Sequence, residues 1–173
     1  YPLAVWARRA QALEPLLARG TTAAGSVAEL GAQCDLVGVC VVDDAGIAAI
    51  CRELIPAMRP GSVIAIHATI TPASCVALAA QCAGRGISLI DAPVSGGGIG
   101  AAAGTLTVMC GGAQEAFDVA KPVFESFGKL IVRLGDVGAG QRAKLVNNAL
   151  MAANMGLAHA ALATGAALGI ERE

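Results

Sequence analysis

The chain has 173 residues, 55% hydrophobic and 14% charged, with a formal net charge of −1. That length and apolar content supply a proper core and exclude a disordered chain. Near-neutral charge gives no electrostatic ground for nucleic acid or an anionic membrane as partner, and every apolar run breaks at Gly, Pro or a charge before a membrane span of about 20 residues.

Taken in order, Leu3 to Trp6 is a short apolar run, followed by a helical stretch from about Ala10 to Ala18 that stops at Gly20. Ser26 is placed to cap a short helix through Leu30. Asp35 to Val42 is almost continuously apolar, the pattern of a strand buried on both faces. Asp43 or Asp44 can cap a helix to about Ile55, ahead of the turn Arg59-Pro60-Gly61. Ser62 to Ile66 reads as a strand, Thr71-Pro72 as the start of a helix running to about Ala83, and Gly86 to Ile90 as the next strand. Gly104 to Cys110 alternates as a strand does. A helix is predicted from Ala113 to Ser126 and a strand from Lys129 to Leu134.

This repetition of strand and helix, with no low-complexity linker, predicts a doubly wound, mostly parallel α/β sheet. From Gly138 to Leu168 there is no proline and much alanine, about eight helical turns. So long a helix is unusual in a βα repeat and predicts a connector to a second domain.

Six cysteines (34, 40, 51, 75, 82 and 110) include no CxxC pair, and no histidines lie near them. Cys34 and Cys40 read as members of one strand, Cys75 and Cys82 as members of one helix. Neither spacing is that of a zinc knuckle, so buried reduced thiols in a cytoplasmic protein are expected, with no metal. No basic segment leading into an apolar core opens the chain, and no signal peptide is visible.

Two segments carry chemistry. Asp91-Ala92-Pro93-Val94-Ser95-Gly96-Gly97-Gly98 follows a predicted strand, at the carboxyl edge where α/β sheets bind ligands. Its glycines let backbone amides turn toward an anion without Cβ obstruction. A glycine-rich crossover with no ligand is an equally good reading of the same residues. In Gly138-Ala139-Gly140-Gln141-Arg142-Ala143-Lys144-Leu145-Val146-Asn147-Asn148, Lys144 and Asn148 are four apart and share a helical face. A lysine aimed into a cleft can act as acid or base if its pKa falls. The competing reading is a solvated lysine, although a cation is disfavoured in a helix's first turns.

Together, DAPVSGG…GAxxGxL…GG and the downstream GxGxxxKxxNN resemble the β-hydroxyacid dehydrogenase family, whose members include 3-hydroxyisobutyrate dehydrogenases, tartronate semialdehyde reductases and glyoxylate/succinic semialdehyde reductases. The resemblance spans nearly the whole chain. It implies that Ser95, Gly96 and Gly97 hold the substrate carboxylate, that Lys144 is the catalytic acid/base, and that Asn148 orients the substrate. Ala65-Ile66-His67-Ala68-Thr69-Ile70-Thr71-Pro72 resembles the family's D-x-S-T-I-S-P strand end, which places Thr69 beside the nicotinamide. Ile66 and Ala68 depart from that pattern, and His67 falls on a non-catalytic position and is read as structural. Val41 and Val42 match the strand end that lines the cofactor cleft, often Leu-Pro in relatives.

The resemblance also implies a strand and GxGxMG loop ahead of Tyr1 and an all-helical domain beyond Glu173. The expectation is therefore a Rossmann-like domain over residues 1–135 lacking its first strand and glycine loop, then an interdomain helix over residues 136–173, in the middle of a longer protein. Arg8 and Arg9 sit where the second strand of that fold ends, beside the adenosine ribose. An arginine there favours the 2′-phosphate of NADP, with NAD the alternative; a solvated arginine pair on a surface turn is the other reading. The implied activity is hydride transfer between the nicotinamide and a small 3-hydroxy acid or its semialdehyde. The expected partners are a small carboxylate substrate and further copies of the chain, a homo-oligomer formed through the helical domain. The rivals are an imine reductase, which shares the loop order but usually lacks the lysine, and a non-catalytic binding or assembly fragment.

Overall fold

The computed structural model describes residues 1–171. It opens with strand β1 (Ala4–Val5), a 3-10 turn (Ala10–Leu13) and a short helix α1 (Glu14–Leu17), where the sequence predicts one helical stretch. Pro15 lies at the start of α1. Strand β2 (Thr22–Ala23) follows, only two residues long and silent in the sequence. Helix α2 (Val27–Gln33) is capped by Ser26, whose hydroxyl accepts from the Glu29 amide at 3.0 Å. Next come β3 (Leu36–Val39), α3 (Asp44–Ala57), β4 (Val63–Ile66), α4 (Pro72–Ala83) and β5 (Ser88–Asp91). Asp43 caps α3 through the Gly46 amide, and Thr71 caps α4 through the Ser74 amide. Side-chain caps of this kind satisfy backbone donors that the first helical turn leaves free.

Strands β1 and β2 pair in parallel, and β3, β4 and β5 form a second parallel group in that order. A third group joins β6 (Val94–Ser95), β7 (Leu106–Cys110) and β8 (Gly128–Arg133), with β6 antiparallel and β8 parallel to β7. A single antiparallel bridge between Asp91 and Gly111 stitches the second group to the third. Between β6 and β7 lies helix α5 (Gly97–Ala103), and helix α6 (Gln114–Phe124) precedes β8. A 29-residue helix, α7 (Ala139–Ala167), is the last element of the described chain and stops four residues before its end, short of the expected 136–173. Arg172 and Glu173, the last two residues of the segment read as an interdomain helix, lie outside the described residues.

The core divides across β4. Ile64 and Ile66 face a cluster with Val37, Val39, Ile47, Leu54 and Leu78, while Val63 and Ala65 face one with Ile90, Val108, Phe117 and Phe124. A strand with period-two side chains and helices on both sides buries all four positions. Each isoleucine contributes about 1.5–3 kcal/mol by leaving water. Strand β3 corrects the expectation of burial on both faces from Asp35 to Val42. It ends at Val39, Gly38 brings no side chain to its second face, and Val42 is 90% exposed.

Cys34 and Cys40 accordingly do not share a strand. Cys34 closes α2, and Cys40 lies beyond β3 and is exposed rather than buried. Cys51, Cys75, Cys82 and Cys110 are buried free thiols; Cys51 of α3 and Cys75 and Cys82 of α4 pack into the first cluster and Cys110 of β7 into the second, and burial pushes Cys51 and Cys75 up to about 12. Among the described residues no group of three or more His, Cys, Asp or Glu could hold a metal, and no helix is long and apolar enough to cross a membrane.

Candidate functional site

All the segments singled out in the sequence, apart from the lysine helix, leave the carboxyl ends of strands. Residues 6–9 follow β1, residues 40–42 follow β3, residues 67–70 follow β4, and the glycine-rich segment follows β5. In parallel sheets this edge is where ligands collect, because the loops there are free of the packing that fixes the strands.

Strands β1 and β3 are not hydrogen-bonded to each other. A cleft of about 570 Å³ separates them. Its deeper part runs along Val27, Val37 and Leu54, and its mouth is formed by Arg8, Val41 and Val42. In the doubly wound order 3-2-1-4-5-6, β2 and β1 take places 3 and 2 while β3, β4 and β5 take places 4, 5 and 6. No described residue occupies the place between. Three residues expected to serve the cofactor, Arg8, Val41 and Val42, thus share one cleft, whereas Thr69 is not part of its lining.

Thr69 is exposed between buried Ala68 and Ile70. Its loop is held from both sides. Asp44 accepts from the Thr71 amide and hydroxyl, each at 3.1 Å, and from the Ser74 hydroxyl, tying the start of α3 to the start of α4. These donors, the Ser74 hydroxyl foremost, hold the Asp44 carboxyl below its ordinary range. From the other side Gln141 donates to the Ala68 carbonyl at 2.8 Å and accepts from the Ile70 amide at 3.1 Å.

His67 just before this loop takes the structural role read for it. Its Nδ1 lies 2.9 Å from the Ala92 carbonyl, and its ring meets Phe124 and Phe127 edge-on with centroids 5.4 and 5.6 Å away. Burial, outweighing that hydrogen bond, lowers its pKa and favours the neutral ring.

The glycine-rich segment is not an open loop throughout, which corrects the sequence reading. After β6, Gly96 (φ 131°) and Gly97 (φ 60°) turn the chain through conformations that favour glycine, and α5 begins at once. At Gly96 a Cβ would also stand 2.9 Å from Leu106 Cδ2. Ser95 is half-buried beside this turn, and the amide of Asn147 reaches its hydroxyl at 3.4 Å. That bond crosses 52 residues and brings the two motif segments together.

Helix α7 carries the rest. Lys144 and Asn148 are both half-buried one turn apart, as the spacing predicts. Partial burial lowers the Lys144 amine below the ordinary lysine value, and no ion pair among the described residues counters it. Asn147, which meets Ser95 and lies 3.3 Å from Asn148 Oδ1, was not singled out in the sequence. Nor were Asp91 and Gln141, both fully buried. The signal available for Gln141 was its spacing: residues 141, 144 and 148 form one stripe at i, i+3 and i+7.

Comparison with known proteins identifies the fold. The family model for the NAD binding domain of 6-phosphogluconate dehydrogenase matches residues 1–135. The chain is 46% identical to the NAD-dependent L-serine dehydrogenase of Pseudomonas aeruginosa over 118 residues, 68% of this chain and 40% of that one. A putative oxidoreductase from Mycobacterium avium superposes with a TM-score of 0.95 at 38% identity, covering 98% of this chain and 61% of that one. The structure of Mycobacterium tuberculosis 3-hydroxyisobutyrate dehydrogenase with L-serine superposes with a TM-score of 0.88 at 30% identity, covering 95% and 56%. The chain spans about half the length of the curated relatives it matches.

Proposed function

Since the chain belongs to the β-hydroxyacid dehydrogenase family, with the Rossmann-like fold of its NAD-binding domain, we propose that the whole protein oxidises a small 3-hydroxy acid, or reduces the matching semialdehyde, with a nicotinamide dinucleotide. The observation that carries this reading is the Asn147–Ser95 contact, which sets the glycine turn against the helix bearing Lys144. A carboxylate-holding turn set against a helix that carries an acid/base is what a 3-hydroxy acid requires, since its charge and its reacting carbinol are separated by a short carbon chain.

The residues present fit the cofactor's adenosine end. The cleft mouth joins valine side chains, suited to a ring face, with the Arg8 guanidinium, suited to phosphate. Arg8, Val41 and Val42 would hold that end and Thr69 the nicotinamide end. When bound, the nicotinamide takes up or supplies the hydride. In oxidation the neutral Lys144 amine takes the hydroxyl proton as the carbinol becomes a carbonyl; in reduction its ammonium returns that proton to the carbonyl oxygen. Burial lowers its pKa, which eases release of the ammonium proton. Ser95 and the Gly96 and Gly97 amides would fix the carboxylate, and Asn148 would hold the reacting oxygen in line.

Arg8 favours NADP over NAD. Residues 1–135 are assigned to the dinucleotide-binding domain, and 136–173, within which α7 spans Ala139–Ala167, to the connection with a helical domain through which copies assemble in the cytoplasm. The test is the reduced-nicotinamide absorbance of the full-length protein with L-serine or 3-hydroxyisobutyrate and either dinucleotide. Turnover of a 3-hydroxy acid supports the reading; binding of neither dinucleotide nor acid overturns it in favour of an assembly module.

A further inference from the structure

Asp91 opens the glycine-rich motif and Gln141 lies inside the lysine motif, yet neither has a role in the chemistry just described. Both are completely buried polar side chains, and their hydrogen bonds reach across separate parts of the site. Asp91 Oδ1 accepts from the Gly138 amide at 2.6 Å and Oδ2 from the Gln141 amide at 2.8 Å. Those amides belong to the start of α7 and have no helical partner of their own. The contact is close because Gly140 carries no side chain: a Cβ there would overlap the Met109 carbonyl and stand 2.9 Å from Asp91. Asp91 therefore fixes both the height of α7 over β5 and β7 and its rotation about its own axis. Rotation decides where the 141-144-148 stripe points.

One turn before Lys144 on that stripe, the Gln141 carboxamide spans the Thr69 loop, bonded to the residue on either side of it. A planar amide holding one donor and one acceptor leaves the loop a single register against the helix.

We propose that Asp91 and Gln141 are positioning residues: together they set the Thr69 loop and Lys144 in register, so that the cofactor's reacting face and the proton-transfer group are presented at a fixed separation. This rests on the proposed reading of Lys144 and Thr69.

The experiment uses the full-length protein with L-serine and 3-hydroxyisobutyrate as probes and the dinucleotide it turns over. Gln141→Met keeps the volume and removes both bonds. The expected result is a kcat lower on the order of 10–100-fold, the usual cost of about an ångström of misplacement, with KM for acid and dinucleotide within about threefold. The isotope effect from deuterium at the transferred position should rise, and amide exchange should accelerate at Ile70 but not in Val63–Ile66. Gln141→Glu, which keeps the shape and the acceptor for Ile70, should fall between the two and serves if the methionine variant does not fold. Unchanged kcat per folded enzyme, or unchanged Ile70 exchange, overturns the proposal. The two readings fail separately: if Lys144→Ala retains full turnover while Gln141→Met still shows the isotope and exchange changes, the assignment of Lys144 is wrong and the register clamp stands.

Discussion

Replacing Gly140 with alanine asks how tightly the start of α7 is docked. On helix propensity alone the change favours the folded state by about 1 kcal/mol. Against this, the new Cβ would overlap the Met109 carbonyl and lie 2.9 Å from both the backbone carbonyl and the Oδ2 of Asp91. Two of these atoms are backbone oxygens and cannot rotate aside, so the helix must lift. Overpacking of that kind costs about 1–3 kcal/mol, here at the upper end. Lifting also stretches the Asp91 bonds to Gly138 and Gln141, and a hydrogen bond to a charged group is worth about 1.5–3 kcal/mol. The net expectation is a loss of at least about 2 kcal/mol, a Tm lower by about 4–8 °C for a domain of this size. Thermal unfolding followed by far-UV circular dichroism reads it. Gly98→Ala is the control, because a Cβ at Gly98 meets nothing within 4 Å. It should leave Tm unchanged or slightly higher. Equal Tm values for the two variants, or a more stable Gly140→Ala, would refute the docking argument.

Three further outcomes are expected. His67 has a folded pKa below its ordinary 6.5, so its contribution to stability is complete above about pH 6.5 and is lost as pH falls through the folded value; between about pH 7.5 and 5.5 the urea midpoint should decline more steeply for wild type than for His67→Gln, and equal slopes would contradict it. Arg8→Asp should shift the ratio of kcat/KM for NADP over NAD toward NAD by about tenfold or more, as a charge-assisted phosphate contact is lost; an unaltered ratio removes Arg8 from the cofactor site. Ser95→Ala should raise KM for the acid by about tenfold, one hydrogen bond to a charged group, and leave dinucleotide affinity alone; the reverse pattern would move the carboxylate elsewhere.

What the sequence made legible had local causes. Caps such as Ser26, Asp43 and Thr71 act within three residues of themselves, and β4 announces itself by four consecutive apolar residues, so those elements appear where their pattern places them. Helix α5 escaped notice because Gly97–Ala103 contains only glycine, alanine and one isoleucine, which leaves no apolar face to count. Strands β2 and β6, at two residues each, owe their existence to the partner strand rather than to their own side chains. The same distinction divides the site. Lys144 and Asn148 could be paired by helical spacing, but Asp91 and Gln141 meet across 50 residues and Ser95 and Asn147 across 52. A buried carboxylate facing amides at a helix start becomes visible only once the chain has folded.

The measurement closest to the central claim is the single-turnover rate of Lys144→Ala in the full-length protein, alongside a fluorescence titration of dinucleotide affinity. The half-buried amine with its lowered pKa should be the proton donor and acceptor, so kcat should fall by about 10²–10⁴ and its pH dependence should flatten. Dinucleotide affinity should be unchanged, because Arg8, Val41 and Val42 line a cleft that Lys144 does not enter. A variant that keeps most of its turnover would contradict the assignment of Lys144, and with it the mechanism.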